Sequence, residues 1–331
     1  MGSDSKALAV SVMPLENRRE TILYIATAAD RLGYETFFLP ETWSHDTTLL
    51  LAEAAIRTQR IRLGTGVLGV WGRSAATLAM AASTLDDISG GRFILGLGAS
   101  TAPLTEGLHD VPFQAPIGQM RRVVTQVRAL LRGERIPLTA ATGARPLRLN
   151  LPPRPALPIY VAGLAAATIR LTGELADGWL PFLYPYDRLA EGATLLREGA
   201  AKAGEPGRSA RICPSVPAEV ASESAAAREG AAWFVAFYLT TMGPLYRQGL
   251  ARQGYTKEVE AVLAANPGRE PAVVPAGAEG LLEHLTVFGT PEEARARLAH
   301  WYGAGAALPV LLLRPHLTRE QIDFTLEAFC A

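Results

Sequence analysis

The chain has 331 residues, 49% of them hydrophobic and 19% charged, and its 32 lysines and arginines equal its 32 acids. That balance provides no net field to gather nucleic acid or an anionic membrane surface, so the partner expected is a small-molecule substrate, with no nucleic acid and no membrane. Two cysteines, Cys213 and Cys330, make neither a disulfide framework nor a CxxC metal site, and neither a basic leader with an apolar core nor a membrane-length apolar run is found, so a cytoplasmic protein is expected.

Residues 7–12 read as a first strand and 18–32 as a helix, with Ile22, Ile25, Ala26, Ala29 and Leu32 at helical spacing before Gly33. Thr36-Phe37-Phe38-Leu39 is a second strand ended by Pro40, and 47–58 a second helix. The loop between them, Glu41-Thr42-Trp43-Ser44-His45-Asp46, is rich in functional groups, and Asp46 also stands where an N-cap belongs. A third strand over 61–67 runs into glycine. A loop through Trp71 and Arg73 then leads to a helix over 74–88, broken by Ser89-Gly90-Gly91.

The fourth strand starts at Phe93 and ends in Gly96-Leu97-Gly98-Ala99-Ser100. Small residues at the carboxyl end of a buried parallel strand admit either a ligand or tight packing of the strand against a helix, and the sequence leaves both readings open. A helix over 117–132 follows, then a proline-rich insertion over 134–157 with Leu147-Arg148-Leu149 as a candidate hairpin arm. Residues 157–163 form a fifth strand, 165–175 a helix, 178–180 a very short sixth strand and 187–203 a helix. The seventh strand spans 210–221 despite Pro214 and Pro217.

From 224 to 285 the strand–helix rhythm gives way to a helical insertion whose aromatic stripe, Trp233, Phe234, Phe237 and Tyr238, suits a core, a lid or an oligomer surface. Thr290-Pro291-Glu292-Glu293 is a strong helix start. Residues 308–313 give the eighth strand and 319–329 the last helix. Eight strands alternating with helices point to an α/β fold, a single (β/α)8 TIM barrel with helical and loop insertions. No GxGxxG opens a helix after the first strand and no P-loop is present.

With the barrel argued, four segments carry a resemblance: RLGYETFFLPETWSHD (31–46), RIRLGTGVLGVWGRSAATLAMAASTLDDISGGRFILGLGAS (60–100), LPIYVAGLAAATIRLTGELADGWLP (157–181) and FGTPEEARARL (288–298). They resemble the luciferase-like monooxygenase superfamily, most closely its coenzyme F420-dependent oxidoreductase branch. The resemblance implies a deazaflavin (coenzyme F420) or flavin (FMN) cofactor at the carboxyl ends of the strands. Its ring would be braced by a bulge at Gly66-Val67-Leu68, where a non-prolyl cis peptide is expected near Gly66-Val67. Ser100 and Thr101 would line the cofactor, and Ala162-Gly163-Leu164-Ala165, at a helix N-terminus, would suit its phosphate.

In deazaflavin-dependent relatives an acid followed by histidine often comes after the second strand. Here the match is Glu41-Thr42, and His45 and Asp46 are the substitutes for the absent histidine, histidine being the usual proton carrier. Asp177 resembles a fixed structural turn, and Arg73 is a candidate for an anionic cofactor tail. His109 and His284 show no ligand spacing. The resemblance implies hydride transfer between F420 and a small organic substrate. The alternatives are an FMN-dependent monooxygenase using reduced FMN and oxygen, and a non-catalytic flavin-binding barrel. A homodimer and a separate reductase to regenerate the reduced cofactor are implied by analogy.

Overall fold

The computed structural model describes residues 6–268 and 273–330; the first five residues of the chain start read above, and positions 269–272 of the helical insertion, lie outside them. The strands are Ala9–Val12 (β1), Thr36–Leu39 (β2), Arg62–Thr65 (β3), Leu68–Gly69 (β4), Phe93–Gly98 (β5), Ile159–Ala162 (β6), Gly178–Trp179 (β7), Arg211–Ile212 (β8), Ser215–Val220 (β9), Val287–Gly289 (β10) and Val310–Leu313 (β11). The chain divides into two compact units. One comprises Glu35–Leu180 and Thr194–Arg211; the other comprises the chain up to Tyr34, Pro181–Ala193 and the chain from Ile212 onward.

In the first of these, strands β2, β3, β5, β6 and β7 pair in parallel in that order, and β4 lies beside the end of β5. Both TFFL of β2 and FILGLG of β5 are buried throughout, as parallel strands covered on two faces require. The ladder between β3 and β5 runs from Leu63 opposite Phe93 to Gly64 opposite Ile94. Beyond it the Thr65 hydroxyl accepts from Gly96 N at 2.8 Å and donates to Gly96 O at 2.7 Å. A Cβ on Gly96 would lie 1.9 Å from the Thr65 carbonyl oxygen, and one on Gly98 would lie 2.5 Å from Val67 Cγ2. The glycine pair serves close packing, but against the end of β3 and the residue after the cis peptide rather than against a helix.

Arg92, in the turn before β5, donates to the carbonyls of Ala55, Thr58, Ile61 and Ser89 and to the Thr58 hydroxyl. It thereby serves carbonyls around the end of the helix Thr47–Arg57, which that helix cannot satisfy itself. Asp177 behaves as a fixed turn residue, accepting from Ile159 N at 2.8 Å and from Arg128 at 2.7 Å.

Three local expectations change. The third strand stops at Thr65 and resumes as β4 after a cis peptide between Gly66 and Val67, the bond foreseen there. A short helix, Ala102–Gly107, precedes the helix Pro116–Leu131. The arm at 147–149 forms no strand; a single backbone bond, Ile136 N to Leu147 O, closes that loop.

In the other unit β10, β9, β11 and β1 pair in parallel. Here the seventh strand is broken before Pro214 into β8 and β9, and β10 is an additional strand. Pro217 lies where β9 changes partner: residues Ser215 to Pro217 pair with β11, and Ala218 to Val220 pair with β10. Proline has no N–H to continue a ladder, so the change falls there. The aromatic stripe packs as core. Phe234 and Tyr238 are buried and stacked at 5.0 Å in the helix Ser224–Thr241, with Phe182 edge-on to Tyr238 at 4.7 Å. Thr290 closes the helix Pro291–Gly303 with a full capping box.

Glu219 of β9 is buried; one carboxylate oxygen accepts from Arg314 Nε at 3.0 Å, and the other has no partner among the described residues. Burial pushes its carboxyl up to about 7 against the pull of Arg314. A carboxyl raised in this way binds more protons folded than unfolded, so its contribution to stability is present at low pH and is lost as pH rises toward the folded pKa. Denaturant unfolding of wild type and Glu219→Gln from about pH 5 to 8 should show a flatter profile in the variant; parallel profiles would contradict the assignment. In the other unit, Gly96→Ala should cost about 1–3 kcal/mol or more through overpacking. Gly107→Ala, with no heavy atom within 4 Å of the new Cβ, should stay within about 0.5 kcal/mol of wild type.

Candidate functional site

The carboxyl ends of β2, β3, β5 and β6, all in the unit built from Glu35–Leu180 and Thr194–Arg211, bring together every residue singled out above for cofactor and chemistry. After β2, Glu41 turns back rather than outward. Its carboxylate receives Arg73 through both guanidinium nitrogens, at 2.9 Å for Nη2 to Oε2, and Oε2 also accepts from Thr47 N at 3.1 Å. Asp46 is the N-cap of the helix Thr47–Arg57, accepting from Thr48 N at 2.9 Å, and its second oxygen takes Arg73 Nη2 at 2.8 Å. Burial alone would raise the Asp46 carboxyl, but the Thr48 hydroxyl and the Arg73 guanidinium hold it below the usual carboxylate range. Arg73 is thus a clamp joining the β2 loop to the β4 loop.

These groups line an open cleft of about 350 Å³ that also holds His45, Trp43 and His109. Thus His45, Glu41 and Asp46 are brought together. His109, to which the sequence spacing assigned nothing, joins them, placed after the short helix Ala102–Gly107; no motif marks it, and its only signal was its place in a strand-to-helix loop. His284 lies in the other unit, hydrogen-bonded through Nδ1 to the Tyr255 hydroxyl at 2.5 Å.

Of the expected cofactor wall, Gly66, Val67, Ser100, Thr101, Ala162, Gly163 and Leu164 form a half-buried strip and Ala165 is exposed; Gly69, not among the expected residues, is half-buried beside them. Leu68 is buried, and its backbone pairs with Leu97 of β5. The strip is held in place by Gly66 N donating to Leu39 O and Glu41 N to Val67 O. Trp71 Nε1 donates to Ala99 O at 2.6 Å. Ser100 has φ 59°, a left-handed backbone uncommon for a residue other than glycine and typical of functional sites. The side-chain hydroxyls of Ser100 and Thr101 have no hydrogen-bond partner among the described residues, and a Cβ on Gly69 would have only Ser100 Cβ nearby, at 4.0 Å.

Gly163 is tight for another reason: a Cβ there would meet Thr168 at 2.3 Å. Its carbonyl accepts from Trp179 Nε1 at 2.8 Å. Ala165 is the N-cap of Ala166–Leu175 without a side-chain cap, so N–H groups of that first turn remain available to an anion. Small residues, room beside Gly69, two available hydroxyls and a helix N-terminus fit a flat ring with a polar edge and an anionic side chain.

Candidate site residues at the carboxyl ends of adjacent parallel strands are the arrangement of α/β enzymes, barrels among them. The sequence profile of the luciferase-like monooxygenase family matches residues 6–308, and the chain belongs to that family. It is 31% identical over 321 residues to a putative coenzyme F420-dependent oxidoreductase of Mycobacterium tuberculosis, covering 90% of this chain and 91% of the relative. Among solved structures, the coenzyme F420-dependent tetrahydromethanopterin reductase of Methanopyrus kandleri superposes with a TM-score of 0.79 at 18% identity, covering 98% of each chain. The oxygenating constituent of 3,6-diketocamphane monooxygenase of Pseudomonas putida, in complex with FMN, gives a TM-score of 0.74 at 18% identity over 98% of this chain and 97% of the other. These likenesses show the (β/α)8 barrel fold, as the strand–helix alternation implied. The relatives are oxidoreductases and monooxygenases, and the chain is an enzyme of the oxidoreductase class. No helix among the described residues is long and apolar enough to cross a membrane.

The capping role of Asp46 sets a pH test. Asp46→Ala should lose about 1 kcal/mol at neutral pH, the worth of an N-cap. Because the folded carboxyl is depressed, that difference should persist above the usual carboxylate pKa and vanish as pH falls through the folded value. A gap that stays constant into acid would show that the Asp46 charge contributes nothing.

Proposed function

We propose that this enzyme is a coenzyme F420-dependent oxidoreductase that moves a hydride between the deazaflavin ring and a small organic substrate. The observation that carries the choice of cofactor is the chain-long similarity to an F420-dependent oxidoreductase. When bound, the deazaflavin supplies a two-electron hydride donor or acceptor at a ring carbon. The protein's part is placement. The backbone of Gly66, Val67 and Leu68 braces one face, Ser100 and Thr101 donate hydrogen bonds to the ring's polar edge, and Ala162, Gly163, Leu164 and Ala165 receive the phosphate at the helix N-terminus.

His45 holds or accepts the substrate proton in the cleft. Glu41 and Asp46 act beside it by fixing Arg73, which keeps the loop after β2 against the loop after β4. On this reading the chain is one cytoplasmic luciferase-like barrel domain with insertions over 134–157 and 224–285. It acts as a homodimer served by a separate reductase. The FMN-bound neighbour supports a second reading, a monooxygenase using reduced FMN and oxygen.

Fluorescence titration of the purified protein with F420 and with FMN tests the choice. F420 should bind at least about 100-fold more tightly, a difference of roughly 2.7 kcal/mol. The opposite order would favour the monooxygenase, and binding of neither would overturn both readings. His45→Ala should keep F420 affinity within a few fold while turnover drops by about 10²–10⁴. Unchanged turnover would remove His45 from proton transfer.

A further inference from the structure

A second cavity, of about 390 Å³, adjoins the cleft across Gly72 and Arg73. It lies between the start of the helix Ala75–Ile88, one face of the helix Pro116–Leu131 and the irregular loop at 136–141. Among the described residues no acid lines it. Of its two cations, Arg73 is occupied by Glu41 and Asp46, whereas Arg122 bonds, among the described residues, only the neutral amide oxygen of Gln119, with Nη2 at 2.5 Å. A half-buried guanidinium lacking a carboxylate is thus the uncompensated charge of this cavity.

Two further features face the same space. Ser74 caps the helix by accepting from Thr77 N, and the N–H groups of Ala75 and Ala76 have no acceptor among the described residues, at the positive end of a 14-residue helix. Gln126 is 5% exposed; its amide nitrogen donates to Pro137 O at 2.8 Å, which fixes the amide, and its oxygen is left without a partner among the described residues. That oxygen is open to the cavity that Gln126 lines, where a donor supplied by a ligand bonds it.

We propose that this cavity is an anion subsite: Arg122 and the Ala75 and Ala76 N–H groups hold a phosphate or carboxylate, and Gln126 Oε1 accepts from a hydroxyl or amide N–H of the same ligand. Donors of both charged and backbone type surround the anion, and the Gln126 acceptor favours a ligand that carries a donor beside its anion over a bare ion. The group is supplied either by an anionic group of the bound cofactor other than the phosphate received at Ala162–Ala165, or by a separate small phosphoester. The subsite itself does not depend on which ring cofactor binds.

The test uses the full chain as wild type, Arg122→Ala and Gln126→Leu, each checked for unchanged thermal unfolding. Binding is measured by calorimetry with three probes: intact F420, its ring fragment lacking the anionic side chain, and glycerol phosphate. If the cofactor supplies the anion, Arg122→Ala should weaken F420 about tenfold or more, the worth of one charge-assisted hydrogen bond, and leave the ring fragment unchanged. If a separate ligand supplies it, both variants should lose glycerol phosphate binding, itself salt-sensitive, with F420 unaffected. Should wild type fail to bind F420, the F420 reading falls while the glycerol phosphate arm still reports on Arg122. Equal affinities of all three proteins for every probe, or no binding of either anion by wild type, would overturn the subsite.

Discussion

The approach of β3 to β5 governs the end of the sheet where the chemistry is placed. Leu63 and Gly64 pair with β5 in the ordinary way, and then Thr65 exchanges its backbone partner for a side-chain one, bonding Gly96 at both N and O. That exchange demands a residue without Cβ at 96, because the Thr65 carbonyl occupies the place where one would sit. It also frees the chain after Thr65 to leave β3, pass through Gly66-Val67 and rejoin β5 as β4. The half-buried strip and the open side of Gly69 follow from β3 stopping at Thr65. A hydroxyl and a missing methyl, 31 positions apart in sequence, therefore shape the wall that the cofactor is argued to meet.

A second constraint acts through charge. Arg73 gathers Glu41 from one loop and Asp46 from a helix start, so two carboxylates share one guanidinium. Both acids are also tied to backbone N–H groups of Thr47 and Thr48, which fixes the geometry of the clamp from the helix side. Such an arrangement binds loops firmly but leaves little charge for a ligand. Side chains that look catalytic in sequence are here bound to Arg73, and the cleft also holds the imidazoles of His45 and His109.

Much of this was legible in the sequence because it is local. Strand and helix order and the caps at Asp46 and Thr290 follow from residues a few positions apart, whereas the turn at Asp177 was legible only through the family resemblance, its partners Ile159 and Arg128 lying far off in sequence. What escaped is what depends on distant neighbours. Whether Gly96 and Gly98 serve a ligand or close packing is decided by Thr65 and Val67, which periodicity cannot place. β10 is three residues long and takes its identity from pairing with β9, and Arg92, inside the most recognisable motif, does its work on carbonyls some 30 residues earlier. His109 carries no pattern because its position is set by a short helix whose sequence, APLTEG, begins with no side-chain cap.

The two cavities that meet at Gly72 differ in their electrostatics, and the difference has a direction. On one side Glu41 and Asp46 outnumber Arg73 by one charge; on the other Arg122 stands with no acid among the described lining residues. Coulomb energies at a few ångströms near a protein surface amount to a few kcal/mol, enough to orient a ligand with unlike ends. A neutral or proton-donating group is therefore favoured beside His45 and His109, and an anionic group beside Arg122. The guanidinium of Arg73, fixed between them by its two carboxylates, separates the environments without supplying free charge to either, so a polar ligand spanning Gly72 has one energetically preferred sense.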